Sequence, residues 1–266
     1  MIRAAASTQP LGAAASYDAW LKNIAVLISI IIPAFNEAGY LAETIASLNR
    51  AKAFLSREND VHAEIIVVDN DSEDSTAEIA RSLGATVARE AQHNIATVRN
   101  AGARLSSGET VIFVDADTIV PEHFLCRVLE AMSDQMCFGG AVDLDYRPMK
   151  LTVKAYLQFW RFAGKFTGTA QGATQFCRRN VFSALKGYDE TLFIGEDVEF
   201  FWRLRRLAKR QHGRVDFIRD MSVVPSTRRF DQWRLWRTLF WTNPLLIFIL
   251  RRRKSCWEAW YKAAPR

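Results

Sequence analysis

Long apolar stretches are scarce in this chain of 266 residues. The apolar stretch at 238–250 is 13 residues long and contains Pro244, whereas a membrane-spanning helix needs about 20 apolar residues. The N-terminus lacks the apolar core of a secretory signal, and we expect residues 1–23 to form a flexible extension. The sequence therefore predicts neither a spanning helix nor a signal peptide.

Cysteine is also infrequent, and no two cysteines have CxxC spacing. The four are Cys126, Cys137, Cys177 and Cys256. This argues against a zinc site or a disulfide framework and favours free thiols in a reducing compartment. We expect a cytoplasmic protein.

Positive charge is concentrated at one end of the chain. The net charge is +6, but residues 197–266 carry +11 and the remainder −5. The basic end is rich in aromatic residues, a mixture that suits anionic membrane surfaces or nucleic acid. For the segment 226–266 two interpretations stay open, namely a helix lying in the headgroup layer of the inner membrane and a helix packing on the domain or on a second subunit.

The rest of the chain alternates between apolar runs and segments of helical periodicity. Such alternation, with strands buried on both faces, predicts an α/β fold with a mainly parallel central sheet flanked by helices. A further helix at 151–166 would place Trp160, Phe162 and Phe166 chiefly in the core, with an acceptor-facing position as the alternative. Strands are predicted at 24–32, 64–68, 85–88, 110–114 and 139–146, and helices at 39–50, 72–83, 96–106, 121–132 and 198–208.

Polar and acidic residues follow three of the predicted strands. They are Asn36 and Glu37, then the segment 69–71, then Asp115 and Asp117. The carboxyl ends of parallel strands share one edge of a sheet, where ligands bind in such folds. This repetition predicts a binding site at that edge.

Asp115 and Asp117 are one residue apart at the end of an apolar strand. In an extended chain, residues i and i+2 lie on the same side, so both carboxylates can face one site. Hard oxygen ligands of this kind suit Mg²⁺ or Mn²⁺, which also accept phosphate oxygens of a substrate. The alternative is a turn at the strand end with two solvated acids.

The ordered set of motifs resembles the family 2 glycosyltransferases of the GT-A fold. The match runs over about residues 26–205, and order and spacing fit together. The matching segments are Ile30–Glu37, Val67–Ser72, Arg99–Gly102, Phe113–Asp117 and Gly187–Glu199.

This resemblance implies an inverting transfer from a UDP-, GDP- or dTDP-linked sugar. Asp117 would ligate Mn²⁺ or Mg²⁺ at the donor diphosphate, and Asp115 would hold the metal or the ribose. Asn70 stands where many members have Asp, which leaves the base open, and Asn94–Ala96 stands where many members have Gly. The other implied donor-binding residues are Pro33, Phe35, Glu37, Asp69 and Arg99.

The acid pair Glu196 and Asp197 would supply the catalytic base, with Asp197 as our choice and Glu196 as the second candidate. A carboxylate can take the proton from the attacking acceptor hydroxyl. A plain helix cap is the alternative for Asp197. Two further expectations follow from the resemblance: Gly172, Ala173 and Thr174 would line the acceptor side, unless they form an ordinary strand turn, and Arg228 and Arg229 would lie near the diphosphate, unless they form a solvated loop pair.

We therefore expect a glycosyltransferase domain over 24–225 and a basic, aromatic-rich helical segment over 226–266. The acceptor would be a glycan or a lipid-linked molecule, with no nucleic acid as partner. One alternative is a sugar-phosphate nucleotidyltransferase, although the loop at 33–39 lacks the usual cation. A dinucleotide-dependent oxidoreductase is disfavoured because GxGxxG is absent. The non-enzymatic alternative is an adaptor at the membrane surface.

Overall fold

A computed structural model describes residues 28–58, 61–167 and 173–258. The predicted N-terminal extension, the start of the predicted first strand and Gly172 lie outside these residues. The first half of the fold alternates strictly between strand and helix. Its elements are β1 (Ile28–Ala34), α1 (Leu41–Glu58), β2 (Ala63–Asp69), α2 (Thr76–Ser82), β3 (Thr86–Arg89), α3 (Ile95–Leu105) and β4 (Thr110–Val114).

The second half is less regular and ends in four short helices. Its elements are β5 (Thr118–Ile119), α4 (Phe124–Ser133), β6 (Cys137–Leu144), α5 (Leu151–Thr167), β7 (Thr174–Arg178), α6 (Arg179–Ala184), α7 (Glu196–Arg210), β8 (Arg214–Pro225), α8 (Arg228–Gln232), α9 (Leu235–Trp241), α10 (Pro244–Leu250) and α11 (Lys254–Trp257).

The strands form one eight-stranded sheet in the order β3-β2-β1-β4-β7-β6-β8-β5. The four strands β3, β2, β1 and β4 are parallel, as are β6 and β8. β7 is antiparallel to both its neighbours, and β5 is antiparallel to β8. The predicted α/β fold with a mainly parallel sheet is confirmed, with β7 as the element that reverses direction in the middle.

The first strand is buried on both faces because helices cover both sides of the sheet. Ile30 and Ile32 pack with α1 and α4 on one face, while Ile31 packs with α3 and α7 on the other. Each of these three side chains is fully buried, and full burial of an isoleucine stabilises the folded state by about 1.5–3 kcal/mol. The sequence of β1, which is apolar apart from Ser29, follows from this two-sided burial.

Several boundaries differ from the sequence predictions. α1 continues to Glu58, two turns beyond the predicted end, since Ala51 and Leu55 extend its buried stripe. α2 begins at Thr76 rather than at 72. The twelve-residue strand β8 was not predicted at all, because charged residues interrupt its apolar pattern.

The C-terminal segment is broken between α9 and α10, where Pro244 begins the second helix. Proline lacks the N–H that a continuous helix would need, but it fits a first helical turn. None of the helices described in 28–258 combines the length and the apolar character that crossing a bilayer requires.

Candidate active site

A cavity of about 700 Å³ lies at the carboxyl ends of β1, β2 and β4 and extends beneath the C-terminal helices. Most of the residues selected from the sequence line it, although they come from distant parts of the chain. They are Pro33, Phe35, Glu37, Asn70, Arg99, Asp115, Asp117, Ala173, Glu196, Asp197, Arg228 and Arg229.

Two other selected residues are buried beside the cavity rather than in its wall. Thr174 pairs with Val114 in the sheet, and its side chain is fully buried. Asp69 is buried at the end of β2, and its Oδ1 atom has no hydrogen-bond partner among the described residues. Ala173 contributes through its backbone, because its carbonyl accepts a hydrogen bond of 3.1 Å from the Asp115 N–H.

The segment from Asp115 to Asp117 does form a turn at the end of β4, but its carboxylates face the cavity. The turn is fixed by the Thr118 N–H, which donates to the Asp115 carbonyl at 3.2 Å, and by Thr44, whose hydroxyl donates to the Ala116 carbonyl at 2.9 Å. The Asp117 side chain is only 19% exposed. Burial raises its pKa to about 6, while Arg228 nearby opposes this effect.

Arg99 connects the two acid pairs. From helix α3 its guanidinium binds Glu196 through Nη1 and Asp115 through Nη2, the latter at 2.8 Å. The side chains of Arg99 and Glu196 are each 3% exposed. The resemblance implies a donor-binding role for Arg99, and in the structure its guanidinium also binds two of the protein's own carboxylates. The structure therefore places Asp115 and Glu196 on one shared cation.

Glu196 and Asp197 occupy the first turn of α7 but have different partners. Gly195 is the N-cap residue, in the left-handed region at φ 74°. Asp197 is therefore not the cap that its sequence position allowed. Burial raises the pKa of both carboxyls, and Arg99 partly offsets this. Glu196 forms an ion pair with Arg99, whereas Asp197 lines the cavity and does not form this ion pair.

Arg228 is a buried cation rather than a solvated loop residue. Its Nη2 atom lies 2.5 Å from Glu37 Oε1 and 3.3 Å from Asp117 Oδ2, and its guanidinium stacks over the Tyr40 ring at 4.3 Å. The Nε and Nη1 atoms are buried without a hydrogen-bond partner among the described residues. Two donors of a guanidinium that lines the cavity are thus available for an anionic ligand.

The residues present could hold a divalent cation whose remaining ligands are water and substrate phosphate. Within the described part of the chain, no three His, Cys, Asp or Glu side chains form a metal-binding group. Asp115 and Asp117 offer hard oxygen ligands, and the raised pKa of Asp117 shows that its charge is poorly solvated there. Mg²⁺ and Mn²⁺ accept such incomplete protein sets when water and phosphate supply the other ligands.

At the end of β2, Asn70 is fixed by the chain that follows β3. Its side-chain amide donates to the carbonyl oxygens of Glu90 and Gln92, at 2.7 and 2.9 Å. Its donors are therefore used within the protein, which leaves the side-chain carbonyl as the group that can accept from a ligand. Asn94, a departure from the resembled family, caps α3 by accepting from the Ala96 and Thr97 N–H groups.

The C-terminal helices pack on the domain, and part of them lines the cavity. Trp233 and Cys256 are buried, and the Phe193 N–H donates to the Arg251 carbonyl at 2.6 Å. Packing on the domain, one of the two interpretations, is thus observed for this segment up to residue 258. Other large apolar side chains of the segment are exposed, namely Leu235, Trp236, Leu239, Phe240, Phe248 and Ile249.

Sequence reasoning missed several residues of the cavity wall. Trp160 was expected in the core but lines the cavity, and Phe162 is exposed. The ion pair between Asp143 and Arg161 was not foreseen, since its partners lie on β6 and α5. The one available signal was the spacing of aromatic residues in α5, which does not distinguish a core position from a cavity wall.

The chain matches one known protein family over more than half of its length. The sequence pattern of "Glycosyl transferase family 2" matches residues 29–185, more than half of the chain. The match begins in β1 and ends just after α6, so it includes the Asp115–Asp117 turn but not Glu196 or Arg228.

Individual glycosyltransferases share only about a quarter to a third of their residues with the matched part of this chain. The glycosyltransferase AglE of Haloferax volcanii is 26% identical over 65% of this chain and 59% of its own length. The 4,4'-diaponeurosporenoate glycosyltransferase of Staphylococcus haemolyticus is 33% identical over 48% and 34%, respectively. The chain thus spans less than two thirds of the length of each of these relatives.

Among solved structures, the mannosyltransferase PcManGT from Pyrobaculum calidifontis, in complex with GDP-Man and Mn²⁺, superimposes with a TM-score of 0.64. It shares 19% identity, over 88% of this chain and 69% of that protein. Glucosyl-3-phosphoglycerate synthase from Mycobacterium tuberculosis, with Mn²⁺ and UDP-glucose, gives a TM-score of 0.57 at 19% identity, over 91% and 84%. These structures share the fold, and together with the family match they establish that this chain belongs to glycosyl transferase family 2.

Proposed function

We propose that the protein is an inverting glycosyltransferase that moves a sugar from a nucleoside diphosphate to an acceptor hydroxyl. The observation that carries this proposal is the convergence of two acid pairs on one cavity. Asp115 and Asp117 come from the end of β4, Glu196 and Asp197 come from the start of α7, and Arg99 binds one acid of each pair.

The donor would lie along the carboxyl ends of β1, β2 and β4. Asn70 lines the cavity at the end of β2, and its side-chain carbonyl offers a hydrogen-bond acceptor to the base. A base with an imide N–H, as in UDP or dTDP, or the N–H of guanine in GDP, is the complementary donor. Phe35 and Pro33 complete this side of the cavity.

The diphosphate would lie between Asp117 and Arg228. A Mn²⁺ or Mg²⁺ ion held by Asp117 and Asp115 would neutralise charge on the leaving diphosphate. The two unpartnered guanidinium nitrogens of Arg228 would donate to diphosphate oxygens, and Glu37 fixes the orientation of that guanidinium. The neighbouring Arg229 lines the same part of the cavity. Two structures of the same fold contain Mn²⁺ together with a sugar nucleotide, which supports this placement.

In the transfer itself, the acceptor oxygen would attack the anomeric carbon from the face opposite the diphosphate. The new O–C bond forms as the bond to the diphosphate oxygen breaks, and that oxygen keeps the electron pair. The Asp197 carboxylate takes the hydroxyl proton, a role that typically accelerates a reaction by about 10²- to 10⁴-fold. Its raised pKa makes it a better proton acceptor than an exposed aspartate. Glu196, paired with Arg99, would position the start of α7.

The acceptor would be a glycan or a lipid-linked molecule, bound on the side of Ala173. We further propose that the protein is cytoplasmic and rests peripherally on the inner face of the membrane. The exposed apolar side chains of α9 and α10, with Arg234, Arg237 and 251–254 beside them in sequence, complement an anionic bilayer surface. The unit that acts would include the segment after 225, because Arg228 belongs to the donor site.

A thermal-shift panel of UDP, GDP and dTDP with and without Mn²⁺ tests the proposal, since a ligand raises the melting temperature of the state that binds it. One nucleotide should raise the melting temperature by several degrees, and only with metal. Asp117→Asn should abolish the metal-dependent part of this shift. Asp134→Asn, which alters an ion-paired acid outside the cavity, is the matched control. If no nucleotide stabilises the wild-type protein, the proposed function is wrong.

A further inference from the structure

The cavity has an apolar half that the proposed donor does not use. The donor site lies at the ends of β1, β2 and β4 and is completed by Arg228, whereas the apolar half is formed by side chains from α5, α7, α9 and α10. These side chains neither hold charge nor take part in the transfer. They are Leu157, Trp160, Trp202, Trp241, Ile247 and Phe248.

This half of the cavity contains a buried donor with no acceptor. The indole Nε1–H of Trp160 has no hydrogen-bond partner among the described residues, although its nitrogen is buried. Buried indole N–H groups usually find a partner, because an unmade hydrogen bond is costly. Since Trp160 lines the cavity, a polar group of a bound molecule is a suitable acceptor.

The apolar half also reaches the surface. Trp202 and Phe248 line the cavity and are 46% and 58% exposed. The same helices expose Phe159, Phe162 and Ile249. Soluble proteins rarely expose several large apolar side chains side by side. Where such a patch continues from a cavity, it indicates that the cavity binds apolar material. A small, fully polar acceptor would leave these rings in water.

A cation lies beside these rings. Arg251 lines the cavity, and its guanidinium stacks over the Phe248 ring at 4.2 Å. Trp202 and Phe248 offer apolar area, Trp160 offers a hydrogen-bond donor, and Asp197 lies in the same cavity. The same cavity therefore holds the acids of the proposed transfer together with exposed apolar rings and a cation beside them.

We propose that the acceptor is a hydroxyl-bearing amphiphile. Its polar head would present the hydroxyl to Asp197 and accept a hydrogen bond from Trp160, while its hydrocarbon part would lie against Trp202 and Phe248. This inference rests on the proposed glycosyl transfer, and it narrows the acceptor to a molecule with a substantial apolar body.

Binding of methyl and octyl β-glucoside to the full chain tests this inference, because the two share a head group and differ only in the hydrocarbon chain. Calorimetry would be run below the critical micelle concentration, with Mn²⁺ and the nucleotide that stabilises the protein. Every methylene removed from water tightens binding severalfold. We therefore expect octyl glucoside to bind at least about tenfold more tightly. Equal affinities would overturn the inference.

Two variants separate the cavity from the general surface. Trp202→Ala should bring the ratio of the two affinities close to one, and its melting temperature reports that it is folded. Trp236→Ala removes a more exposed tryptophan, 64% exposed and outside the cavity wall, and should keep the ratio. Equal loss in both variants would mean nonspecific adsorption and would refute the inference.

The same samples distinguish the two proposals. If nucleotide diphosphates bind but chain length has no effect, the amphiphilic acceptor is wrong and the glycosyl transfer stands. If no nucleotide diphosphate binds, the glycosyl transfer is wrong and the acceptor role falls with it.

Discussion

The ion pair between Arg99 and Glu196 gives a sharp stability prediction for Arg99→Met. Methionine keeps much of the length of arginine but removes its charge and its hydrogen bonds. Glu196 would then be a buried carboxylate, 3% exposed, with no cation beside it. Breaking one partner of such a pair typically costs about 3–5 kcal/mol. Asp115, at 34% exposed, is partly hydrated and adds less to this cost.

A loss of this size is a large share of the stability of a domain, which is usually about 5–15 kcal/mol. For a chain of this length it lowers the melting temperature by roughly 6 to 20 °C. Urea unfolding followed by circular dichroism measures the free energy, and calorimetry gives the melting temperature. Arg81→Met is the matched control, because Arg81 and Glu78 form a pair at 4.0 Å with both side chains more than half exposed. It should change the stability by less than about 1 kcal/mol.

The double variant Arg99→Met with Glu196→Gln tests the cause. With the carboxylate replaced by an amide, the second change should recover part of the loss, giving a coupling free energy of about 0.5–3 kcal/mol. If the two losses simply add, or if Arg99→Met is no worse than Arg81→Met, the pair does not hold this part of the site together.

Three further predictions follow from other parts of the structure. Asp197→Asn should retain nucleotide-dependent stabilisation but lower transfer by about 10²- to 10⁴-fold, and full activity in a radiolabelled-sugar assay would move the base elsewhere. Gly102→Ala should cost about 1–3 kcal/mol in urea unfolding, because its new Cβ would overlap Ile31 Cγ2 and lie 2.9 Å from Val68 Cγ2, whereas Gly39→Ala, with open space around it, should be near neutral. The protein should sediment together with vesicles that contain anionic lipid, but not with neutral vesicles or at high salt. Equal binding to anionic and neutral vesicles would contradict the proposed membrane contact.

The first half of the fold was predictable because each local signal agrees with the packing. The sequence of β1 is apolar apart from Ser29, and the strand is buried throughout. The motifs after β1, β2 and β4 lie on one edge of the sheet because those strands are parallel. Their proximity can therefore be predicted without knowing any contact between distant residues. The position of Asp115 and Asp117 in the cavity wall follows from this rule.

The second half of the fold was harder to predict from the sequence, because its elements are fixed by contacts between residues that are far apart in the chain. β8 carries Asp216, Arg219 and Asp220 within its length, and a period of two does not emerge from such a pattern. Its pairing with β6 even changes register between Val142 and Asp143. The ion pair between Arg99 and Glu196 joins residues 97 positions apart, and nothing local in either segment indicates the other. Geometry of this kind emerges only from the assembled fold.

The contact between Glu37 and Arg228 spans 191 positions of the chain. At a synthesis rate of about 5–20 residues per second, Glu37 is synthesised roughly 10 to 40 s before Arg228. Throughout that interval, its carboxylate has to stay hydrated, because an unpaired charge resists burial. The first strands can assemble early, but the pocket they border closes only after Arg228 has been made.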